Sequence, residues 1–354
     1  MATLLSFLVV GCASHPVRAL VGGNMRLGGN MGVNGQIDMK GDVATTSKTD
    51  NTATPVQTRV VDGVDCGAGR IAIVDVDGLI TDDVISGFGS MGENPVALFR
   101  EKIRRIEDDS TISAVVLRIN TPGGGVTASD MIAHDVDRLK LSRGLPVVAC
   151  LMTTATGGGF YLATSADALV AHPTSVVGGI GVILNTYNME DTLAQYNILA
   201  TPIKSGAKID VGTPQRMMEE DEQALLEGMA KQFHDRFIER VQRTRGERLE
   251  PDESLFDGRV MSGQKAFDSG LIDQLGYLDD AIELAGQLAG LPSDAPVVLL
   301  RRDNDRALSE FDVTPNRPMN SILPLSVPGL DRSRLPTFLY LWQPEPRIVT
   351  ASGG

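Results

Sequence analysis

Two glycine-rich turns, each placed shortly after an apolar run, constrain this chain more than any other feature. Ala114-Val-Val-Leu-Arg-Ile119 leads into Pro122-Gly-Gly-Gly125, and Pro146-Val-Val-Ala-Cys-Leu151 leads towards Gly157-Gly-Gly159. A short apolar run bounded by turn residues reads as a strand buried on both faces. A turn that lacks Cβ atoms lets backbone N–H groups come close to another group's carbonyl. The pairing therefore predicts a sheet whose strand ends carry a site lined by backbone.

The surrounding pattern extends this to an α/β fold. Arg70-Ile-Ala-Ile-Val-Asp-Val76 reads as a further strand. Residues 94–108 read as an amphipathic helix with Val96, Phe99, Ile103 and Ile106 on one face. Helices follow over about 127–142, from the glycine triplet onward, and over about 217–245. Alternating strands and helices predict a mostly parallel sheet with right-handed crossovers. A hydrophobic content of 42% is enough for a buried core.

The net charge of −13 argues against nucleic acid or an anionic membrane surface as an electrostatic partner. Cys12, Cys66 and Cys150 make no disulfide framework, and Cys150 is expected as a buried thiol. His15, His134, His172 and His234 show no ligand spacing, so neither a metal site nor a cofactor is expected.

Four segments are expected. Residues 1–12, whose apolar stretch from Leu4 ends in a small residue and Cys12, resemble a bacterial lipoprotein signal with Cys12 as the lipidated residue, although no Lys or Arg precedes the stretch. Residues 13–68 read as a polar tether with three hexads, each ending in glycine, over 24–41. Residues 69–292 form the main domain, and 293–354 a proline-rich arm containing the apolar island Leu335-Pro-Thr-Phe-Leu-Tyr-Leu-Trp342. No other run reaches the ~18 apolar residues of a membrane span.

In order and spacing, the blocks Asn120–Val126, Met152–Asp167 and Ile203–Asp210, followed by Phe256–Val260 and Gly270–Gly276, resemble the signal peptide peptidase A (SppA-type) serine peptidases. The resemblance runs from about Arg70 to Gln287. It implies the crotonase- and Clp-like ββα superhelix, with the Gly124 and Gly158 N–H groups as an oxyanion hole. It also implies a serine-lysine dyad in which a second serine orients the lysine.

Carried over position by position, the nucleophile falls on Gly157, the lysine on Ile209 and the orienting serine on Gly179. All three polar groups are missing. Isoleucine at the lysine position would remove the cost of burying an unpartnered lysine. A displaced pair, Thr156 with Lys208, would need both side chains redirected, because one residue along a helix or a strand changes the face presented.

The resemblance thus implies a peptide-binding or assembly subunit without turnover. The alternatives are a working peptidase using Thr156 and Lys208, and a crotonase-type acyl-CoA enzyme. Expected partners are peptide or signal-peptide segments and either further copies of the chain or an active relative. In the family's single-domain forms, dyad residues cross subunit borders, and the arm carrying the Leu335–Trp342 island is expected to pack on a neighbouring subunit or on the core. The expected location is the bacterial cell envelope, held by lipid at Cys12.

Overall fold

In the computed structural model, residues 17–19, 43–45, 54–64, 67, 69–83, 93–303, 305, 307–315 and 338–342 are described. The chain divides into two units, Met1–Asp50 and Asn51–Gly354. In the first, β1 (Val17–Ala19) pairs antiparallel with β2 (Val43–Thr45). Cys12, Cys66, the hexads and residues 335–337 lie outside the described residues.

The second unit is built on a nine-stranded sheet. Its elements in chain order begin with β3 (Gln57–Asp62), β4 (Arg70–Asp77), α1 (Pro95–Asp108), β5 (Ile112–Thr121), β6 (Gly123–Gly125) and α2 (Val126–Arg143). They continue through β7 (Val147–Thr156), α3 (Gly158–Ala163), β8 (Ala168–Ala171), β9 (Val176–Gly178), α4 (Glu190–Gln195) and α5 (Glu220–Arg245). The last are β10 (Val260–Ser262), α6 (Gly263–Asp268), β11 (Gln274–Leu275), α7 (Leu278–Leu288), β12 (Val297–Arg301) and β13 (Leu339–Leu341). The sheet order is β10-β9-β7-β5-β4-β12-β3, with β8 beside β7 and β11 beside β8.

β4, β5, β7, β8 and β9 run parallel, as the alternating pattern predicts, and only the outer strands β10 and β3 pair antiparallel. β7 is shared along its length. Val148–Leu151 pair with β8, and Thr154–Thr156 pair with β9. The sheet forks there, and the fork sets the end of β7 apart from β8.

Side-chain alternation divides the core between two faces. Val74, Leu117 and Ile119 pack with α1, α2, α3 and α5 residues such as Phe99, Ile103, Ile132 and Phe237. Ile73, Val116, Val148 and Cys150 pack against Leu278, Ala281 and Ala285 of α7. Asn94 caps α1 through a 3.0 Å hydrogen bond from Ala97 N–H, and Val96, Phe99, Ile103 and Ile106 are all buried.

The sheet reaches past both expected domain borders. β12 lies between β4 and β3, so residues assigned to the tether (β3) and to the arm (β12) complete its edge. The buried face of β12 (Val297, Val298, Leu299, Leu300) explains the placement, since it needs cover on both sides.

Candidate peptide-strand site

The two glycine turns meet. β6 follows β5 through Pro122, and Thr121 Oγ1 accepts from Gly123 N–H at 3.0 Å. Ile80 and β6 exchange bonds of 2.9 Å, Ile80 N–H to Gly123 O and Gly125 N–H to Ile80 O. From β7 the chain turns at Gly157 into α3, with Gly157 N–H bonded to Gly178 O at 2.9 Å. A Cβ on Gly123 would sit 2.8 Å from Gly158 N, and one on Gly158 would sit 3.4 Å from Gly124 N. The two N–H groups expected to form the oxyanion hole are therefore neighbours.

The face they share is filled by this chain's own tail. β13 pairs antiparallel with β6, with Tyr340 opposite Gly124. Val126 N–H donates to Phe338 O at 3.2 Å, and Trp342 N–H donates to Pro122 O at 3.1 Å. Antiparallel ladders alternate bonded and non-bonded pairs, so these flanking bonds make Tyr340 and Gly124 an exchanging pair. The Tyr340 carbonyl thus faces the Gly124 N–H. On its other edge the strand exchanges two 2.9 Å bonds with Ile183.

Tyr340 is the anchor. Its fully buried ring stacks on Tyr161 with centroids 5.1 Å apart and tilts against Phe237 at 4.8 Å. Its hydroxyl donates to the Phe233 carbonyl at 2.7 Å. Phe338 meets Phe233 edge-on at 5.1 Å. Tyr161 is itself held, its hydroxyl donating to Asp130 at 2.6 Å, with Arg240 5.0 Å from its ring centroid. Burial is the main cause raising the Tyr340 phenol, with the neighbouring Tyr161 adding to it. Burial, followed by the bond to Asp130, raises Tyr161.

Gly157 has φ +53° and ψ −120°, a backbone that L side chains rarely adopt. A Cβ there would lie 2.3 Å from Tyr340 O and 2.6 Å from Tyr340 C. The expected nucleophile position, Gly157, therefore abuts a backbone carbonyl and leaves no room for a side chain while the strand is in place.

Gly179 lies beside it: a Cβ on Gly179 would be 3.2 Å from Gly157 N and 3.6 Å from Trp342 Cβ. Two of the three positions expected to correspond to the dyad and its orienting serine are thus together. Ile209 is not with them. It lies on the segment between α4 and α5 and is 70% exposed, so the expected relief from burying a lysine does not arise within this chain. That segment is held by ion pairs, with Arg216 joining Asp210 at 2.9 Å and Glu222 at 2.7 Å.

Thr156 and Lys208 have separate partners. The buried Thr156 hydroxyl donates to Pro122 O at 3.1 Å. Lys208 pairs with Asp221 at 2.7 Å and Glu219 at 2.9 Å. Those hydrogen bonds raise its pKa, which is the wrong direction for a general base. Among the described residues no hydrogen bond joins Thr156 to Lys208. Cys150 is a buried thiol as expected, pushed up to about 12 chiefly by burial.

Of the two packings expected for the arm, on a neighbour or on the core, the described part takes the second. Tyr340 and Leu341 are buried inside this chain. Sequence reasoning missed Tyr161, Phe233 and Phe237 as the walls of the Tyr340 pocket. The available signal was the i, i+4 pair Phe233/Phe237 in a chain with only 5% aromatics.

A mostly parallel sheet thus presents backbone donors to an extended strand at the end of a buried strand. Residues 140–292 match the model for peptidase family S49. The chain is 30% identical over 234 residues to a putative signal peptide peptidase SppA of Enterococcus faecium, covering 66% of this chain and 67% of that one. It is 32% identical over 193 residues to a putative protease of Synechocystis sp., covering 54% and 69%. Protease 4 of Haemophilus influenzae is 27% identical over 64% of this chain, but the match spans only 36% of that longer protein. Among solved structures, a membrane-bound stomatin-specific protease in complex with a substrate peptide matches at a TM-score of 0.41 and 14% identity, over 66% of this chain and 92% of that one. The chain belongs to the S49 family of SppA-type serine peptidases.

Proposed function

We propose that this S49-family protein binds an extended peptide strand at its glycine turns and does not hydrolyse it. The observation that carries the reading is the nucleophile position. Gly157 offers no hydroxyl, and its backbone and the nearby Tyr340 carbonyl both exclude one. Ile209 offers no base and Gly179, at φ +65°, no orienting hydroxyl. An oxyanion hole still holds a carbonyl when no nucleophile is present, so binding outlives catalysis. Labelling with a fluorophosphonate probe, alongside a peptide cleavage assay, tests this. Neither label nor cleavage is expected. The alternative of an active peptidase using Thr156 and Lys208 predicts cleavage that disappears when either is changed. The acyl-CoA alternative finds no support in the relatives.

The same reading includes self-association, or association with an active relative. Tyr196, Leu199, Ile203 and Ile209 are exposed on the α4–α5 segment, and grouped apolar exposure of this kind usually marks a contact. This exposure supports an interface there rather than on the tail. The reading also includes attachment to the cell envelope through lipid at Cys12. Among the described residues no helix is long and apolar enough to cross a membrane. Cys12→Ser is expected to move the protein from the membrane pellet to the soluble fraction.

A further inference from the structure

We infer that Asn120 is the positioning residue of the backbone-donor site: its carboxamide ties the ends of β4 and β7 to β5 and so fixes where the two glycine turns meet. The inference rests on the peptide-binding reading above and concerns how the donors of that site are held.

β5 and β7 pair in step from Val115 opposite Val147 to Ile119 opposite Leu151, and resume with Thr121 opposite Ala155. In between, Asn120 alone lies opposite Met152, Thr153 and Thr154. Such a bulge takes backbone groups out of the ladder, and those groups need other partners. The Asn120 side chain supplies one, its Oδ1 accepting from Thr154 N–H at 3.2 Å. Its Nδ2 donates to Asp77, the last residue of β4, at 3.0 Å. Its own carbonyl accepts from Gly78 N–H at 3.1 Å. These partners fix the orientation of the amide, since the reverse would set its oxygen against a carboxylate and its NH2 against an N–H.

Each segment of the site starts from these bonds. Just past Gly78 comes Ile80, which exchanges bonds with Gly123 and Gly125. Just past Asn120 comes Pro122, whose carbonyl takes the Thr156 hydroxyl. Just past Thr154 comes Gly157, where the chain turns into α3. So little chain lies between that a shift at Asn120 passes on to Gly124 and Gly158. A carboxamide suits this place because it both donates and accepts. An aspartate lacks the donor, a leucine lacks both groups, and a glutamine reaches further by a methylene.

Hydrogen exchange of the full-length protein, read by mass spectrometry, tests this over residues 122–126 and 338–342, with residues 112–119 as the reference within the sheet. Exchange reports how readily each segment opens. Asn120→Ala and Asn120→Asp are each expected to speed exchange in both test segments by about tenfold or more relative to the reference. In Asn120→Asp the new carboxylate meets that of Asp77, and like charges at that distance do not both ionise. One proton shared between them re-forms the donated bond. Protection in this variant is therefore expected to recover as pH falls, after correction for intrinsic rates, and Asn120→Ala is expected not to recover. Adding Asp77→Asn to Asn120→Asp exchanges donor and acceptor, and is expected to return exchange to within about threefold of the wild type. Trp342, the chain's single tryptophan, follows β13, and its emission is expected to move to the red when the test segments open.

Acceleration that is equal in the reference and the test segments, or exchange unchanged in every variant, overturns the proposal. So does a double variant no better protected than Asn120→Asp alone. Asp77→Ala keeps Asn120 and removes the acceptor of its Nδ2, so it is expected to speed the same segments. Unchanged exchange there also overturns the proposal, and that arm does not depend on the Asn120 variants folding. A peptide cleavage assay on the wild type keeps the two readings apart. Cleavage refutes binding without turnover and leaves the role of Asn120 standing. No cleavage, with exchange that does not single out the two segments, does the reverse.

Discussion

Gly157→Ala is expected to destabilise the protein by an amount that depends on the tail. The substitution adds one methyl group at a backbone with φ +53° and ψ −120°. Holding a non-glycine residue in such a region costs about 1–3 kcal/mol. The methyl would also sit 2.3 Å from Tyr340 O and 2.6 Å from Tyr340 C. Both are backbone atoms of a strand bonded on two edges, so the overlap adds overpacking of about 1–3 kcal/mol or expels the strand. The wild-type background should therefore lose about 2–6 kcal/mol in total. In a Tyr340→Ala background the strand is released and only the conformational cost remains, about 1–3 kcal/mol. Urea unfolding of the four proteins in the cycle gives the coupling directly, expected at about 1–3 kcal/mol. Trp342 emission should shift to the red in Gly157→Ala if the strand is expelled. Effects that add to within about 0.5 kcal/mol, with unchanged emission, would refute the claim that Gly157 is glycine to accommodate Tyr340.

Other outcomes follow from the same geometry. Restoring the dyad by Gly157→Ser, Gly179→Ser and Ile209→Lys is expected to give no peptidase activity in the otherwise native chain, because residue 157 still faces the Tyr340 carbonyl; activity that appears only when Tyr340→Ala is added would agree, and activity without it would not. Burial raises the Tyr340 phenol, so its contribution to stability is complete below the unfolded tyrosine value of about 10 and is lost as pH rises through the folded value. Trp342 emission should accordingly hold up to about pH 10 and shift above it, while Tyr340→Phe, which has no proton to lose, extends the plateau. Ile203→Asp on the exposed α4–α5 segment should shift sedimentation towards the monomer if that segment forms the subunit contact, with the tail still docked by Trp342 emission.

How much was legible in the sequence varied with how far each element depends on its own residues. α1 announced itself through the Val96, Phe99, Ile103, Ile106 face, a period that local chemistry imposes. The glycine turns were legible for the same reason, since glycine marks the places where backbone must approach backbone. The fork of β7 into β8 and β9 was not, because those strands are four and three residues long and carry no readable period. β13 was only half legible. An apolar island in a polar tail suits a neighbour or the core alike when its partner, Gly123–Gly125, has no side chains to betray a complementary face. Ile209 was expected in a buried setting because the family position implies one, whereas the Arg216, Asp210 and Glu222 ion pairs fix that segment in an exposed position.

A groove that binds peptide without turnover is tested by assaying peptide cleavage by the purified wild type beside Thr156→Val and Lys208→Met. Lys208 is exposed and paired with Glu219 and Asp221, while Thr156 donates to Pro122, so neither is placed to act on a bound carbonyl in this chain. No cleavage and no fluorophosphonate label are expected in any of the three. Cleavage by the wild type that is lost in both variants would establish a displaced threonine-lysine pair and contradict binding without turnover.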